Sequence, residues 1–254
     1  MQPAARIRLR LLDAFGLTVG DTEVQLPVSA QHVLALLASR DRPMHRSVVA
    51  GTIWPSRSEP RALACLRSAL HRLHARAPII DVTGHDLALS GSVEVDLREA
   101  QAIARESGRE PGNPDGIEPV VDLLGRELLP DWDAIWLEPA RQRHRVVRVR
   151  ALEALSRRLS QAGRHAEAVD AARAAVSAEP DSETAEGALI EALVAEGNPV
   201  LAIRELDAFR KRLWREFRVR PSLEVGRLSA GPRPRAPARA RTPQRPGDAL
   251  VTRR

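Results

Sequence analysis

Residues 59–76, EPRALACLRSALHRLHAR, form the stretch that decides the fold. Leucines recur in it at intervals of three and four residues and therefore share one helical face: Leu63, Leu66, Leu70 and Leu73. The opposite face alternates donors with small residues: Arg61, Ala64, Ser68, Arg72 and Ala75. His71 lies beside that face and Arg67 on its flank. The pattern predicts a helix that anchors in a core and leaves room for a base edge between arginines. A solvated basic face gives the same pattern, so the neighbouring sequence has to decide.

The flanking residues predict a helix start and a complete small domain. Ser58 is a suitable N-cap, Glu59 favours the positive end of the helix dipole, and Pro60 is tolerated in the first turn. Two further helices are predicted upstream, at 29–39 and 45–54, and a hairpin downstream, with strands at 79–82 and 86–89. Short strands at 7–12 and 23–26, joined through Gly20-Asp21, precede everything. This order of strands, three helices and hairpin predicts a winged helix-turn-helix.

The second half of the chain contains an internal repeat. Gly163 and Gly197 are 34 residues apart, as are Ala168 and Ala202, and this is the period of tetratricopeptide (TPR) helix pairs. The predicted pairs are 147–162 with 165–178, and 182–196 with 199–217. The expected fold class is mainly α with a small β component, an N-terminal winged helix-turn-helix followed by an α-helical TPR-like repeat domain.

Two stretches of the sequence resemble a known family. "LPVSAQHVLALLA…RSVVAGTIWPSRSEPRALACLRSALHRL" resembles the OmpR-type DNA-binding domain of Streptomyces antibiotic regulatory proteins (SARPs). "ELLPDWDAIWLEPARQRHRVVRVRALEALSRRL…RKRLWREFRVRPS" resembles the bacterial transcriptional activation domain that follows it in that family. The resemblance covers about residues 6–222 in the family's domain order. It implies a transcriptional activator.

Charge is unevenly distributed along the chain, whose formal net charge is +6. Residues 227–254 hold eight arginines and one aspartate, a balance of +7, while 1–98 come to +3 and 99–226 to −4. We therefore expect three regions: a DNA-binding domain at 1–98, an activation domain at 99–226, and a disordered Arg/Pro-rich tail at 227–254. A further loop is expected at 108–116. A local basic patch favours site-specific binding over bulk condensation of nucleic acid.

Composition argues against several classes of protein. Cys65 is the only cysteine, so an intrachain disulfide or a cysteine-based metal cage is excluded. No run approaches the ~20 apolar residues of a membrane span, and the start of the chain lacks a signal-peptide core. We expect a cytoplasmic, nucleoid-associated protein with no membrane partner, no metal and no cofactor.

Catalysis is not expected either. The sequence has no phosphate-binding loop, no dinucleotide-binding glycine motif and no nucleophile elbow. His71 and His74 have a ligand spacing without further ligands, and His74 is expected to be a satisfied interior imidazole. Trp132 and Trp136, four residues apart, are expected on one helical face. They favour core packing between the repeats and the winged helix over a partner groove.

The DNA-binding hypothesis assigns roles to seven residues. Base-edge or adjacent contacts in the major groove are expected from Arg61, Ser68, His71 and Arg72. Phosphate contacts are expected from Arg67 and Arg76, and His85 at the hairpin tip could touch the backbone or minor groove. The resemblance further implies tandem direct repeats near a promoter, two protomers side by side, recruitment of RNA polymerase holoenzyme, and control of a biosynthetic or secondary-metabolism gene cluster.

Two other interpretations remain open. The chain could be a helical-repeat adaptor whose winged helix docks on protein rather than DNA, although an adaptor would not need the arginines of residues 59–76. It could also be a ligand-gated regulator with a small molecule in the repeat concavity, for which the sequence has no anchor.

Overall fold

The computed structural model describes residues 6–40, 42–106 and 117–222. The strands are β1 Ile7–Arg10, β2 Gly16–Val19, β3 Thr22–Glu23, β4 Met44–His45, β5 Ile80–Thr83, β6 Asp86–Leu89 and β7 Val93–Val95. The helices are α1 Val28–Ala38, α2 Arg46–Ile53, α3 Glu59–His74, α4 Asp96–Glu106, α5 Ile117–Gly125, α6 Glu138–Gln161, α7 His165–Ala178, α8 Glu183–Ala195 and α9 Pro199–Phe217. A 3-10 turn, Ile135–Leu137, precedes α6. The predicted fold class is confirmed. The predicted tail at 227–254 and loop at 108–116 lie outside the described residues.

The first three strands of the chain and β7 form a four-stranded sheet with the order β3-β2-β1-β7. Strand β1 pairs antiparallel with β2 and parallel with β7, where Leu9 lies opposite Val95. Ile7 and Leu9 are buried while Arg8 and Arg10 are exposed, the alternation of a strand with one solvated face. The predicted strand at 7–12 is β1, shorter at its end. The Gly20-Asp21 turn joins β2 to β3, and neither β2 nor β7 was predicted.

Three helices follow the first strands, as the sequence predicts, and their buried side chains belong to the same apolar cluster as those of the sheet. Helix α1 is almost wholly buried because Val33, Leu34, Leu36 and Leu37 point to several sides of it. Helices α2 and α3 follow, and a five-residue connection at 54–58 joins them. Both contact α1. The helical pair α2–α3 is thus held against the core in a helix-turn-helix.

The predicted hairpin is present as β5 and β6, which pair in antiparallel register from Ile80–Leu89 to Thr83–Asp86. Gly84 turns the chain with a φ of 61°, a conformation that favours glycine. Strand β4 pairs with the other edge of β6 and makes this wing a three-stranded sheet.

The helical half stacks α6, α7, α8 and α9 in consecutive contact. Gly163 and Gly197, with φ of 76° and 91°, reverse the chain between paired helices, since a side chain is strained there. Buried Ala168 and Ala202 allow close helix approach, as the repeat predicts. Helix α6 begins nine residues before its predicted start, and α4 and α5 were not predicted.

Residues 125–132, here called the strap, connect the two halves. On the sheet side, Asp13 N–H donates to Glu127 O at 2.7 Å and Leu129 N–H donates to Leu11 O at 3.0 Å. Asp13 and Leu129 both have positive φ, 65° and 43°. The strap therefore continues the hydrogen bonding of β1 through two residues in a strained backbone conformation.

On its other side the strap is held by one face of α6. Arg148 is buried and donates to Gly125 O at 2.6 Å, Arg126 O at 2.9 Å and the Glu127 carboxylate at 3.0 Å. His144 Nε2 lies 3.1 Å from Arg126 O. Arg141 adds donations to the carbonyls of Leu128, Leu129 and Trp132. Part-buried carbonyls thus receive charged donors, which makes these hydrogen bonds stronger than neutral ones.

The tryptophans confirm one prediction and contradict another. Trp132 lies 4.6 Å from His32 of α1 and 5.9 Å from Phe15, between ring centroids, and Trp136 lies 6.0 Å from His32. They pack between the winged helix and the helical half, as expected. The shared helix face was wrong, because Trp132 precedes the first helical turn. The division at residues 98 and 226 stays a prediction.

Candidate nucleic-acid interface

Helix α3 buries a face that differs from its leucine stripe. Ala62, Leu66, Ala69 and Leu73 are buried, whereas Leu63 and Leu70 are only half-buried. At 100° per residue the buried face is rotated by about 50° from the predicted one. The middle of the solvent face accordingly lies at Ala64 and His71.

All seven predicted DNA-contacting residues are exposed. Arg61, Arg67, Ser68, His71 and Arg72 lie on α3, Arg76 just follows its last turn, and His85 is at the wing tip. The rotation moves Arg67 towards the middle of the solvent face and places Arg61 and Arg72 nearer its edge. The structure thus places five of the seven on α3 and Arg76 two residues after it, with His85 on a separate element.

The four α3-side arginines are available to a ligand. Among the described residues, no carboxylate lies within ion-pair distance of Arg61, Arg67, Arg72 or Arg76. Glu59, the one acid of α3, is in its first turn, where it complements the helix dipole. The face therefore presents positive charge that no neighbour neutralises, as a polyanion-binding surface requires.

Backbone contacts occupy some polar groups of α3. Ser68 Oγ donates to Ala64 O at 3.2 Å, which leaves its lone pairs for a second partner. His74 Nδ1 lies 2.9 Å from Leu70 O, but the residue is exposed. The expected interior position of His74 was therefore wrong, because the buried face is rotated away from it.

The end of α3 lies beside the start of α1. His71, Arg72 and Arg76 line a groove whose other wall is the connection Gln25, Leu26 and Pro27. Pro27 is the N-cap of α1, so the positive end of that helix dipole faces the same groove. Arginines and a helix N-terminus together favour a phosphate.

The wing places a second histidine beside His85. The rings of His45 and His85 are 5.6 Å apart between centroids, and His45 Nδ1 lies 2.7 Å from Ser47 Oγ. Arg46 N–H donates to His85 O at 2.9 Å and ties the wing to the start of α2. Sequence reasoning missed His45, because only the β4–β6 pairing brings it to a residue 40 positions away.

Arg57 is another exposed cation that was not predicted. It lies in the connection between α2 and α3, directly before the N-cap Ser58. Its position one residue before a predicted N-cap was the available signal. Arg57 extends the positive surface to the start of α3.

In the parts of the chain that the structure describes, no three His, Cys, Asp or Glu side chains come together as metal ligands would. None of the described helices is both long and apolar enough to cross a membrane.

Comparisons with known proteins identify the helical half and the overall fold. Residues 95–231, more than half of the chain, match the bacterial transcriptional activator domain. The solved structure of Mycobacterium tuberculosis EmbR in complex with a low-affinity phosphopeptide is similar, with a TM-score of 0.68 and 20% identity. The alignment covers 89% of this chain and 64% of the EmbR chain, so this chain spans less than two thirds of that protein. A search of curated protein sequences finds no match.

The likeness to EmbR is one of fold, since the sequences are only 20% identical. The domain match identifies the helical half directly. The match spans more than half of the chain, so the chain belongs to the bacterial transcriptional activator domain family, with a winged helix in front of the matched half.

Proposed function

We propose that the chain activates transcription by placing α3 in the major groove of a specific operator. The observation that carries this proposal is the exposed face of α3, whose arginines have no ion-pair partner among the described residues. Arg61 and Arg72 are eleven residues apart, about 16 Å along the helix axis. That distance corresponds to about five base pairs of B-DNA, enough for a half-site.

Each predicted contact has a proposed role. Arg61 and Arg72 donate to base edges near the two ends of the face, with Ser68 and His71 between them. Arg76 contacts a phosphate in the groove beside the N-terminus of α1, and Arg67 contacts a phosphate from the flank. His85 touches the neighbouring backbone or the minor groove from the wing.

The wider assignment rests on family membership. We propose that two protomers bind tandem direct repeats near a promoter and that the helical domain recruits RNA polymerase holoenzyme. The regulated genes would be those of a biosynthetic or secondary-metabolism cluster. The domain order supports this assignment, because a winged helix directly precedes the activator domain.

Fluorescence anisotropy with DNA from the region upstream of the chain's own gene tests the proposal. Binding should survive competition by scrambled DNA, and the double variant Arg61→Ala/Arg72→Ala should lose that preference. Arg150→Ala, at an exposed arginine of α6, is the matched control and should bind like the unchanged protein. Equal affinity for specific and scrambled DNA in the unchanged protein would contradict sequence-specific binding.

Arg67→Ala tests how the rotated face is used. A phosphate contact predicts a loss that is uniform across sequences and a salt slope lowered by about 1. A base contact predicts instead a loss confined to the specific operator, of about 1–3 kcal/mol. The second result would move Arg67 from the phosphate group to the base-reading group.

A further inference from the structure

In the part of the chain that the structure describes, helix α9 exposes a stripe of large apolar side chains, and only Trp214 has neighbours over it, the guanidinium groups of Arg218 and Arg220. Four large apolar side chains on it are about half exposed or more: Val200 at 64%, Ile203 at 48%, Trp214 at 49% and Phe217 at 55%. The buried face of α9 consists of Ala202, Leu206, Phe209 and Leu213. Large apolar residues aligned along the exposed side of one helix are typical of an interaction surface rather than of scattered exposure.

The stripe has the spacing of a heptad. Val200, Ile203, Asp207, Arg210, Trp214 and Phe217 follow one another at alternating intervals of three and four residues. This spacing keeps them in line along a helix of 19 residues and about 28 Å. The centre of the stripe is charged and both ends are apolar.

The side chains of the stripe match those of a second, antiparallel copy of the same stripe. When two such helices lie antiparallel about a two-fold axis between residues 208 and 209, Val200 lies opposite Phe217 and Ile203 opposite Trp214. Asp207 then lies opposite Arg210. The alternating spacings of three and four residues read the same in both directions, so the positions of any heptad stripe coincide with those of an antiparallel copy. Here the side chains at those positions are also compatible, since apolar groups meet apolar groups and an acid meets a base.

We propose that this stripe, here called the α9 stripe, is the contact between two copies of the chain, paired as antiparallel α9 helices. Such a contact is isologous, with residue i of one copy meeting residue j of the other and the reverse. Asp207 and Arg210 of one chain are 3.5 Å apart, so the axis gathers two acids and two bases in alternation. A polar pair at the centre of a helical seam fixes register and orientation. This contact is separate from the arrangement proposed on DNA, because protomers on direct repeats have the same orientation whereas a two-fold axis reverses one of them. It does not require DNA.

One flank of the α9 stripe is basic and opposes the pairing. Arg204 and Lys211 are exposed beside the stripe. The two-fold axis brings Arg204 of one copy near Lys211 of the other. Like charges across an interface weaken it, so we expect a dimer that dissociates on dilution.

Sedimentation velocity of the full chain over about 1–100 µM measures the pairing. The expected result is a concentration-dependent shift from the 27.9 kDa monomer to twice that mass. A chain that stays monomeric throughout would overturn the proposal, and an acidic partner helix would then be the better occupant of an apolar stripe with a basic flank.

Charge reversal tests the register without disturbing the core. Asp207→Arg alone and Arg210→Asp alone each place like charges at the axis and should raise the dissociation constant at least about tenfold. Mixing the two variant proteins should restore pairing as a heterodimer, because each arginine then faces an acid of the other chain. Restoration on mixing cannot come from contacts within one chain. Two weak variants that fail to recover on mixing would contradict the antiparallel arrangement.

Matched controls and a gain of affinity complete the design. Asp170→Arg on α7 and Arg150→Asp on α6 make the same changes at exposed positions away from the stripe and should leave the dissociation constant unchanged. Lys211→Glu converts the repulsion with Arg204 of the other copy into attraction and should tighten the dimer about twofold or more. An unchanged or weaker dimer in Lys211→Glu would contradict the proposed register.

Discussion

Glu186 of α8 places a carboxyl group in the interior with few polar partners. The residue is 2% exposed, and its Oε1 has no hydrogen-bond partner among the described residues. Its Oε2 is 3.9 Å from Arg212, too far for a hydrogen bond. Burial raises the pKa of Glu186 to about 7 from 4.5, with Arg212 opposing the shift and Glu205 adding to it.

This pKa makes stability depend on pH in a defined direction. Between pH 4.5 and 7 the folded protein keeps a proton that the unfolded chain has lost, so raising the pH lowers the free energy of unfolding. The difference between a pKa of 4.5 and one of about 7 means that the free energy of unfolding falls by about 3 kcal/mol across that window. Below pH 4.5 the carboxyl is neutral in both states and stability does not depend on it. Above pH 7 the loss of stability is complete.

Glu186→Gln should remove this dependence, because the amide is neutral at every pH and has nearly the same shape. We expect the variant to match the unchanged protein at pH 5 and to exceed it by about 3 kcal/mol at pH 8. Urea unfolding followed by far-UV circular dichroism at both pH values gives the two differences. Taking the difference between proteins cancels the titration of all other groups.

Glu191→Gln, at an exposed glutamate on the same helix, is the control and should change stability by less than about 0.5 kcal/mol at either pH. A difference between Glu186→Gln and the unchanged protein that is the same at pH 5 and pH 8 would refute the reasoning. A variant less stable at pH 8 would mean that the ionised carboxylate is held by Arg212.

Three further predictions concern the junction and the DNA-binding face. Arg148→Ala removes the charged donor to the carbonyls of Gly125 and Arg126 and should lower the free energy of unfolding, measured by thermal unfolding, by at least about 2 kcal/mol, while exposed Arg143→Ala should lower it by less than about 0.5 kcal/mol; equal losses would contradict the role of Arg148. Arg76→Ala should lower the slope of log affinity against log salt by about 1 on any DNA, and an unchanged slope would remove Arg76 from the phosphate contacts. Burial lowers the pKa of His32, so stability falls as the pH drops below about 6.5, and His32→Phe should flatten that fall; the same pH profile in His32→Phe would assign the fall to other groups.

The sequence predicted the elements whose apolar period is strong and local. Helix α3 and the hairpin around Gly84 were placed within a few residues because their signals lie in adjacent positions. The buried face of α3 was misplaced because Ala62 and Ala69 add little to a hydrophobic pattern, yet close packing favours them over half-buried Leu63 and Leu70. For the same reason the rotation towards Arg67 could not be read from the leucines.

Contacts between distant segments were outside the reach of local patterns. Strand β7 is three residues long and becomes a strand by pairing with β1, more than 80 positions earlier. Asp96 at the start of α4 accepts from the backbone amides of Leu11 and Leu12 at 2.9 Å, a second tie to the same strand end. The hydrophobic periodicity of a single segment does not predict such contacts between distant segments. The predicted contacts on α3 were all exposed because the side of a helix opposite its apolar face follows from the helix alone, whereas the exposure of His85 follows from its place at the hairpin turn.

The strap has a consequence for the distance between an operator and its promoter. Because β1 and α6 both hydrogen-bond to residues 125–132, the helical half cannot rotate freely about the winged helix. With α3 in the major groove as we propose, the operator would fix the side of the double helix on which the helical half lies. Inserting about five base pairs, half a helical turn, between operator and promoter would carry it to the opposite side of the DNA. Inserting about ten would bring it back, one turn further away. Promoter output should therefore oscillate with spacer length, whereas a freely jointed regulator would lose output only gradually.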